Sequence, residues 1–402
     1  YYASINSLLS KNKRMIWTII FWICVFCLVH SYVIYPFILR IFGGDLEAPT
    51  PLPHPAPQPM VSVLMAVYNE EKVLEQKIRS VFNTAYPAGQ LEMLIGSDGS
   101  TDNTDIIIEK LIKEGYRIHF TRFGGRNGKT QIINSLAPQA NGKIFIPTDA
   151  NIIFDPLTIP KLVAHFTDEK IGLVAANIIN TGLRKDGISY QEHTYIKREN
   201  LIKHYEGLLW GTMMGAFGAC YAIRANLFPV IPRNFFMEDF YITLKVIQSG
   251  KKAIAEPDAI AIEDVSNEIN EEFKRKIRIS AGNFQNLGVF WPMLLKFYTG
   301  AGFSFLSHKV LRWLGPLFLI GAFISSIILF NTNTFFQLAF YLQLAGLLTP
   351  LFDKLLSAAN LHIYFLRLLA YFYTMNLALL LGFIKFAKGI KSSTWRPTER
   401  NV

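Results

Sequence analysis

The chain has 402 residues, 51% of them hydrophobic, and 40 Lys and Arg against 30 Asp and Glu give it a net charge of +10. That length suits one or two cores, or one core plus membrane segments, and the excess of cations admits anionic lipid, nucleic acid or small anions. Three cysteines exclude a disulfide framework, compatible with a reducing compartment, and the lack of a basic stripe interleaved with aromatics argues against nucleic acid.

Apolar residues are concentrated at 15–41 and in much of 303–387, whereas 61–265 reads as a soluble α/β domain. Ile16 to Ile41 is long enough to cross a bilayer with tilt, and too long for a signal-peptide core. Within it, Cys24 and Cys27 read as small apolar side chains on one helical face. Proline at every second position from Pro49 to Pro59 predicts an extended spacer. A ligand for a proline-binding domain is the alternative reading.

From Met60 the pattern alternates. Strands are expected at Val61–Val67, Leu91–Ile95, Tyr116–Phe120, Lys143–Ile146 and Gly172–Ile178. Helices are expected at Lys72–Asn83, Thr104–Lys113, Thr130–Leu136 and Pro156–Phe166. Short connections imply a mainly parallel sheet covered on both faces, with ligands collecting beyond the strands' carboxyl ends. Ser189 to Trp210 predicts a long polar-faced helix, Cys220 to Arg224 a strand, and Glu238 to Gln248 a helix stopped by Gly250. Glu268 to Trp313, basic and aromatic by turns, predicts amphipathic helices in the headgroup layer, broken at Trp291-Pro292. Phe303–Phe330, Phe335–Leu351 and His362–Ala387 follow as apolar stretches. Three crossings there would set the basic C-terminus opposite the domain, against the charge bias of loops, so the last segment's topology stays open. The expected division is a membrane anchor at 1–46, a Pro-rich linker at 47–60 and a catalytic domain at 61–267. Interface helices at 268–312 and a transmembrane region at 313–402 complete it.

Polar motifs fall at the strand ends. Asp149-Ala-Asn151 offers a carboxylate and an amide oxygen two residues apart, hard ligands suited to Mg²⁺ or Mn²⁺, or a turn or cap. Asp98-Gly-Ser-Thr-Asp102 reads as a strand-to-helix turn or as a base-edge acceptor. Arg126-Asn-Gly-Lys129 sets two cations before a helix, suited to phosphate or to a solvated loop. Glu238-Asp239 opens a helix, either as dipole-favoured carboxylates or as a base for a hydroxyl proton.

Taken in order, Tyr68-Asn-Glu70, Ser97-Asp-Gly-Ser-Thr-Asp102, Asp149-x-Asn151, Glu238-Asp239 and Arg275-x-x-Arg278 resemble the membrane-integrated family 2 glycosyltransferases. That group includes the cellulose, chitin, hyaluronan and poly-N-acetylglucosamine synthases, and the likeness covers roughly residues 61–290. It implies an α/β GT-A nucleotide-sugar-binding domain flanked by transmembrane and amphipathic interface helices, cytoplasmic and integral to the cell (inner) membrane. Tyr68, Glu70, Asp98, Arg126, Lys129, Asp149, Arg275 and Arg278 would bind a nucleotide-sugar donor, a UDP-sugar first. Asp149 and Asn151 would hold the metal, and Phe217, Gly218 and Cys220 would lie beneath the acceptor. Asp239, beside Glu238, would be the base of an inverting displacement.

Two departures matter. Asn151 stands where the family pattern has a second aspartate, implying weaker metal binding. Ile279 stands where processive synthases carry the tryptophan that stacks on an acceptor sugar. Polymerisation with secretion, which would add accessory secretion subunits, and transfer of one sugar to a lipid or lipid-linked acceptor therefore both stay open. A non-catalytic scaffold is the third reading, opposed by the joint presence of Asp98, Asp149 and Asp239. With few residues beyond the last apolar segment, no appended cyclic-nucleotide-sensing domain is expected in this chain.

Overall fold

The computed structural model describes residues 2–46, 58–182, 189–264, 269–359 and 361–390. Most of the proline run therefore lies outside the described residues. The N-terminal helix α1 (Tyr2–Val29) passes through a π-helical turn at His30–Ile34 into α2 (Tyr35–Gly43). Phe26, Val33 and Phe37 on it are more than half exposed, whereas Phe21, Tyr35 and Leu39 are buried.

Strands β1 (Val61–Val67), β2 (Leu91–Ser97), β3 (Ile118–Arg122), β4 (Ile144–Pro147), β5 (Ile152–Phe154), β6 (Ile171–Thr181), β7 (Tyr221–Arg224) and β8 (Lys252–Asp264) form one sheet. Its order is β3-β2-β1-β4-β7-β6-β8-β5. Helices α3 (Leu74–Phe82), α4 (Thr104–Lys113), α5 (Lys129–Leu136) and α6 (Thr158–Ala164) alternate with the strands, as the periodicity predicts. The β1, β2, β3 and β4 pairings and the β6–β8 pairing are parallel, but β7 runs antiparallel to β4 and β6, and β5 antiparallel to β8. The sheet is thus mainly parallel, with short antiparallel pairings at β7 and β5, and β5 and β8 are additions to the expected elements. Beyond Ala176–Glu256 the β6–β8 register jumps to Asn177–Ile260, because Pro257 has no N–H to offer the ladder. β1 and β2 are buried at every residue, which explains their unbroken apolar runs.

Helix α7 (Ser189–Trp210) precedes β7, and α8 (Glu238–Gln248) lies between β7 and β8. Helix α9 (Ile269–Phe290) follows β8, and a 3₁₀ turn at Trp291–Lys296 ends it at the expected Trp-Pro break. Then come α10 (Gly300–Ser304), a π-helical turn at Phe305–Val310, α11 (Leu311–Trp313), α12 (Gly315–Ile328), α13 (Thr334–Ala358) and α14 (Tyr364–Ala387).

Three segments, Asn12–Gly43, α13 and α14, are long and apolar enough to cross a membrane, and Gly300–Trp313 with Gly315–Ile328 is a further pair bent by 61°. Helix α9 packs along α14 instead of facing the headgroup layer alone. Ser280 Oγ donates to the Leu379 carbonyl, and Phe284 meets Phe383 and Phe386. Lys385 lies over the Phe236 ring, so the basic end of α14 abuts the domain.

Candidate active site

The loops after β1 and β2 are stitched together by short polar side chains. Asn69, held at φ 52°, accepts from the Thr101 N–H, and the Glu70 N–H donates to Thr104 Oγ1. Asp102 accepts from the N–H groups of Glu71 and Thr104, so it acts as a turn and helix cap. Gly99 adopts φ +72°, and a Cβ there would stand 3.0 Å from the Gly125 carbonyl oxygen, so only glycine lets the two loops close together.

Asp98 is fully buried. It accepts from Arg126 Nε and from the N–H groups of Asn127 and Gly128, and so ties the Gly124–Gly128 loop to the end of β2. The Arg126 guanidinium lies 3.3 Å from the centroid of the Tyr68 ring, a cation–π contact. Tyr68, Asp98 and Arg126 thus form one end of the site.

Lys129, at the start of α5, joins that end to the middle. Its Nζ is 2.7 Å from Asp149 Oδ1 and 2.7 Å from Glu238 Oε1. Burial works against its charge, but the two carboxylates outweigh burial and raise its pKa above the usual value. Asp239 follows Glu238 in the first turn of α8, a helix buried along most of its length. Burial and then the charge of Glu238 raise the Asp239 carboxyl to about 6, against the opposing effects of Lys129, the Phe240 N–H and Lys203. A carboxylate so placed holds a proton with the affinity a general base needs near neutral pH.

The loop between α7 and β7 packs on this turn. A Cβ on Gly218 would come within 3.1 Å of Asp239 Oδ2, and the Ala216 N–H donates to Thr243 Oγ1, which itself donates to the Asp239 carbonyl. Phe217 is half-buried in the same loop, with Lys203 Nζ 3.1 Å from its ring centroid. Cys220 is different: it is fully buried, bridges Thr148 in the sheet, and burial pushes its thiol to about 12. It sits in the core below the loop, away from any surface a ligand could reach. The carbonyl of neighbouring Ala219 accepts from Thr148 Oγ1, which fixes the loop to the end of β4.

Asn151 Nδ2 donates to Glu263 Oε1. Asp149 keeps a side chain 40% exposed, engaged through Oδ1 by Lys129. One carboxylate and one amide oxygen are hard donors, and they fit a divalent cation whose remaining ligands come from elsewhere. Among the described residues no cluster of three His, Cys, Asp or Glu could hold a metal alone.

The two arginines of α9 part company. Arg275 lies against Glu192 at 3.0 Å, Glu272 at 2.9 Å and Glu263 at 4.0 Å, so it is committed to carboxylates, one of which, Glu263, also accepts from Asn151. Arg278 takes part in no hydrogen bond or ion pair among the described residues. Burial and then Arg275 lower its pKa, opposed by Glu238 and Asp149. Of the pair, it is the arginine whose guanidinium no carboxylate engages among the described residues.

Three buried groups were missed in the sequence: Glu199, Lys203 and Glu206, on the inner face of α7. Glu206 accepts from Tyr35 Oη, His308 Nδ1 and the Met214 N–H, joining α2 and the Phe305–Val310 turn to the loop between α7 and β7. The spacing of Glu192, Glu199 and Glu206, seven apart, was the available signal, since residues two turns apart share a face.

Residues 62–229 match the family described as Glycosyl transferase family 2, and the chain carries a glycosyltransferase domain of that family in a GT-A fold. It is 34% identical over 118 residues to the beta-monoglucosyldiacylglycerol synthase of Nostoc sp., covering 29% of this chain and 25% of that protein. It is 25% identical over 240 residues to the poly-beta-1,6-N-acetyl-D-glucosamine synthase of Staphylococcus epidermidis, covering 58% and 57%. The chain thus spans between a quarter and somewhat over half the length of these curated relatives. Among solved structures, the mannosyltransferase PcManGT from Pyrobaculum calidifontis, in complex with GDP-Man and Mn²⁺, superposes with a TM-score of 0.68. That match covers 92% of this chain and 99% of that one at 18% identity, a likeness of fold.

Proposed function

We propose that this protein transfers one sugar, with inversion, from a nucleotide-diphosphate donor to a hydroxyl of a lipid or lipid-linked acceptor at the cytoplasmic face of the inner membrane. The observation that carries the reading is Lys129 bridging Asp149 to Glu238, which sets the donor-side carboxylate beside Asp239. Tyr68, Glu70 and Asp98 with Arg126 bound the nucleoside, a uridine first, and Lys129 and Arg278 face the diphosphate. Asp149 and Asn151 would hold Mg²⁺ or Mn²⁺, whose charge would offset that of the diphosphate.

Asp239 removes the proton from the acceptor hydroxyl as its oxygen attacks the anomeric carbon from the face opposite the diphosphate. The bond from that carbon to the diphosphate oxygen breaks, and the electron pair leaves with the nucleotide. Gly218 admits the acceptor close to Asp239 because a side chain there would crowd the carboxylate. Ile279, which offers no ring face for a sugar, favours single transfer over polymerisation. The name of the Nostoc relative is consistent with a lipid acceptor.

The test is to incubate the purified protein with UDP-sugars, Mn²⁺ and membrane lipids and to measure UDP release and product size. Asp239-dependent UDP release with a lipid-sized product supports the reading. A long polymer would replace single transfer by processive synthesis. UDP release no greater than that of Asp239→Asn, with every donor tried, would favour a non-catalytic role.

A further inference from the structure

Lys203 is 4% exposed, yet its ammonium takes part in no hydrogen bond or ion pair among the described residues. Its close neighbour is the face of the Phe217 ring, 3.1 Å from Nζ to the centroid. A desolvated ammonium is costly unless something anionic compensates it. The carboxylates in its field are Glu199, Glu206 and Asp239, and Lys309 is the cation in that field. Two of those carboxylates are already taken. Glu199 is bound by His308, by Lys309 at 2.9 Å and by Arg312, and Glu206 by Tyr35, His308 and the Met214 N–H. The third, Asp239, is the base that must stay available to a hydroxyl.

Position adds a second constraint. Ile202, one residue before Lys203, packs against Tyr35 and Leu39 of α2, and Tyr205 closes on Gly43, where the candidate span Asn12–Gly43 ends. Lys203 therefore lies on α7 beside the C-terminal end of that candidate span, and the end of a span is where lipid phosphates are met. Arg198, five residues earlier on α7, donates to the Tyr32 carbonyl of the same segment, so α7 is tied to that segment along more than one turn.

We propose that Lys203, capped by the Phe217 ring, is an acceptor subsite for the phosphate of an anionic lipid, which carries its hydroxyl from the bilayer to Asp239. This rests on the transferase reading above and names the acceptor's chemistry. The arrangement complements the donor side: Arg278 waits for the donor's diphosphate, and Lys203, in the field of Asp239, for the acceptor's phosphate. Burial, with Lys309 second, lowers the Lys203 ammonium to about 7, against the pull of the carboxylates, as expected where the stabilising anion arrives with the substrate.

The experiment is native mass spectrometry of the full chain with dihexanoyl phosphatidylglycerol, dihexanoylglycerol and inorganic phosphate as separate probes. Wild type is expected to bind phosphatidylglycerol about 10–100-fold more tightly than Lys203→Gln, the loss of one charge-assisted contact. Lys203→Arg, which keeps the charge, should retain most of the affinity and shows that the fold tolerates change at this position. Equal phosphatidylglycerol affinity in wild type and Lys203→Gln would overturn the proposal, as would dihexanoylglycerol binding as tightly as phosphatidylglycerol. Displacement of the lipid by inorganic phosphate alone, equally sensitive to Lys203→Gln, would overturn the lipid assignment in favour of a free anion. UDP release with phosphatidylglycerol, lost in Asp239→Asn and unaffected by Lys203→Gln, would leave the transferase reading standing while removing the anionic subsite.

Discussion

Lys129 and Glu238 act on Asp239 with opposite sign, and that opposition can be tested. The Asp239 carboxyl is raised to about 6 by burial first and by Glu238 second, while Lys129 pulls it down. At pH 7 a group of that pKa is about nine-tenths ionised, and a tenfold change in its proton affinity corresponds to about 1.4 kcal/mol. Lys129→Met removes the restraining cation, so the acid limb of kcat/KM should move to higher pH. Glu238→Gln removes the like charge, so the limb should move to lower pH. Lys129→Met should also lower stability by about 3–5 kcal/mol, the range for breaking a buried pair, because Asp149, 40% exposed, can rehydrate whereas Glu238, 11% exposed, cannot. The assay is UDP release followed from about two pH units below the limb to about two above it. Limbs that move in the same direction, or neither moving, would refute the electrostatic account of the base.

Other consequences follow from the same contacts. Asp149→Ala should remove most Mn²⁺ binding in the presence of UDP, read by electron paramagnetic resonance, whereas Asp102→Ala, a cap, should leave it intact. Gly218→Ala should lower kcat more than it alters UDP affinity, since its Cβ meets Asp239 Oδ2 at 3.1 Å. Glu206→Ala strands three buried donors, at a cost of about 3–5 kcal/mol, and should lower the thermal midpoint clearly in scanning fluorimetry. Arg278→Met should raise the donor KM more than Arg275→Met does, because Arg275 is already held by carboxylates.

Much of the fold is legible in the sequence where one local signal dominates. β1, α4, α7 and α8 have the boundaries their patterns predict, because each is followed closely by a residue at positive φ that breaks it: Asn69, Gly115, Gly211 and Gly250. β5 is too short to show a period, and β8 is hidden by the Glu256-Pro-Asp break, where the pairing register jumps. The motifs at the strand ends were legible as residue types, and their convergence follows from sheet topology. Which arginine of α9 faces the site was not legible, since Glu192, which takes Arg275, lies 83 residues away. The polar face of α7 reads as solvated until α2 and the helices after α9 cover it. Burial there is decided by tertiary packing rather than by the helix itself.

The central claim is that Asp239 takes the proton from the acceptor hydroxyl. Its most direct test is single-turnover UDP release by wild type and Asp239→Asn, with Mn²⁺ and UDP affinity measured alongside. The account predicts a loss of about 10²–10⁴-fold in rate with donor and metal affinity retained, and equal turnover by the two proteins would contradict it.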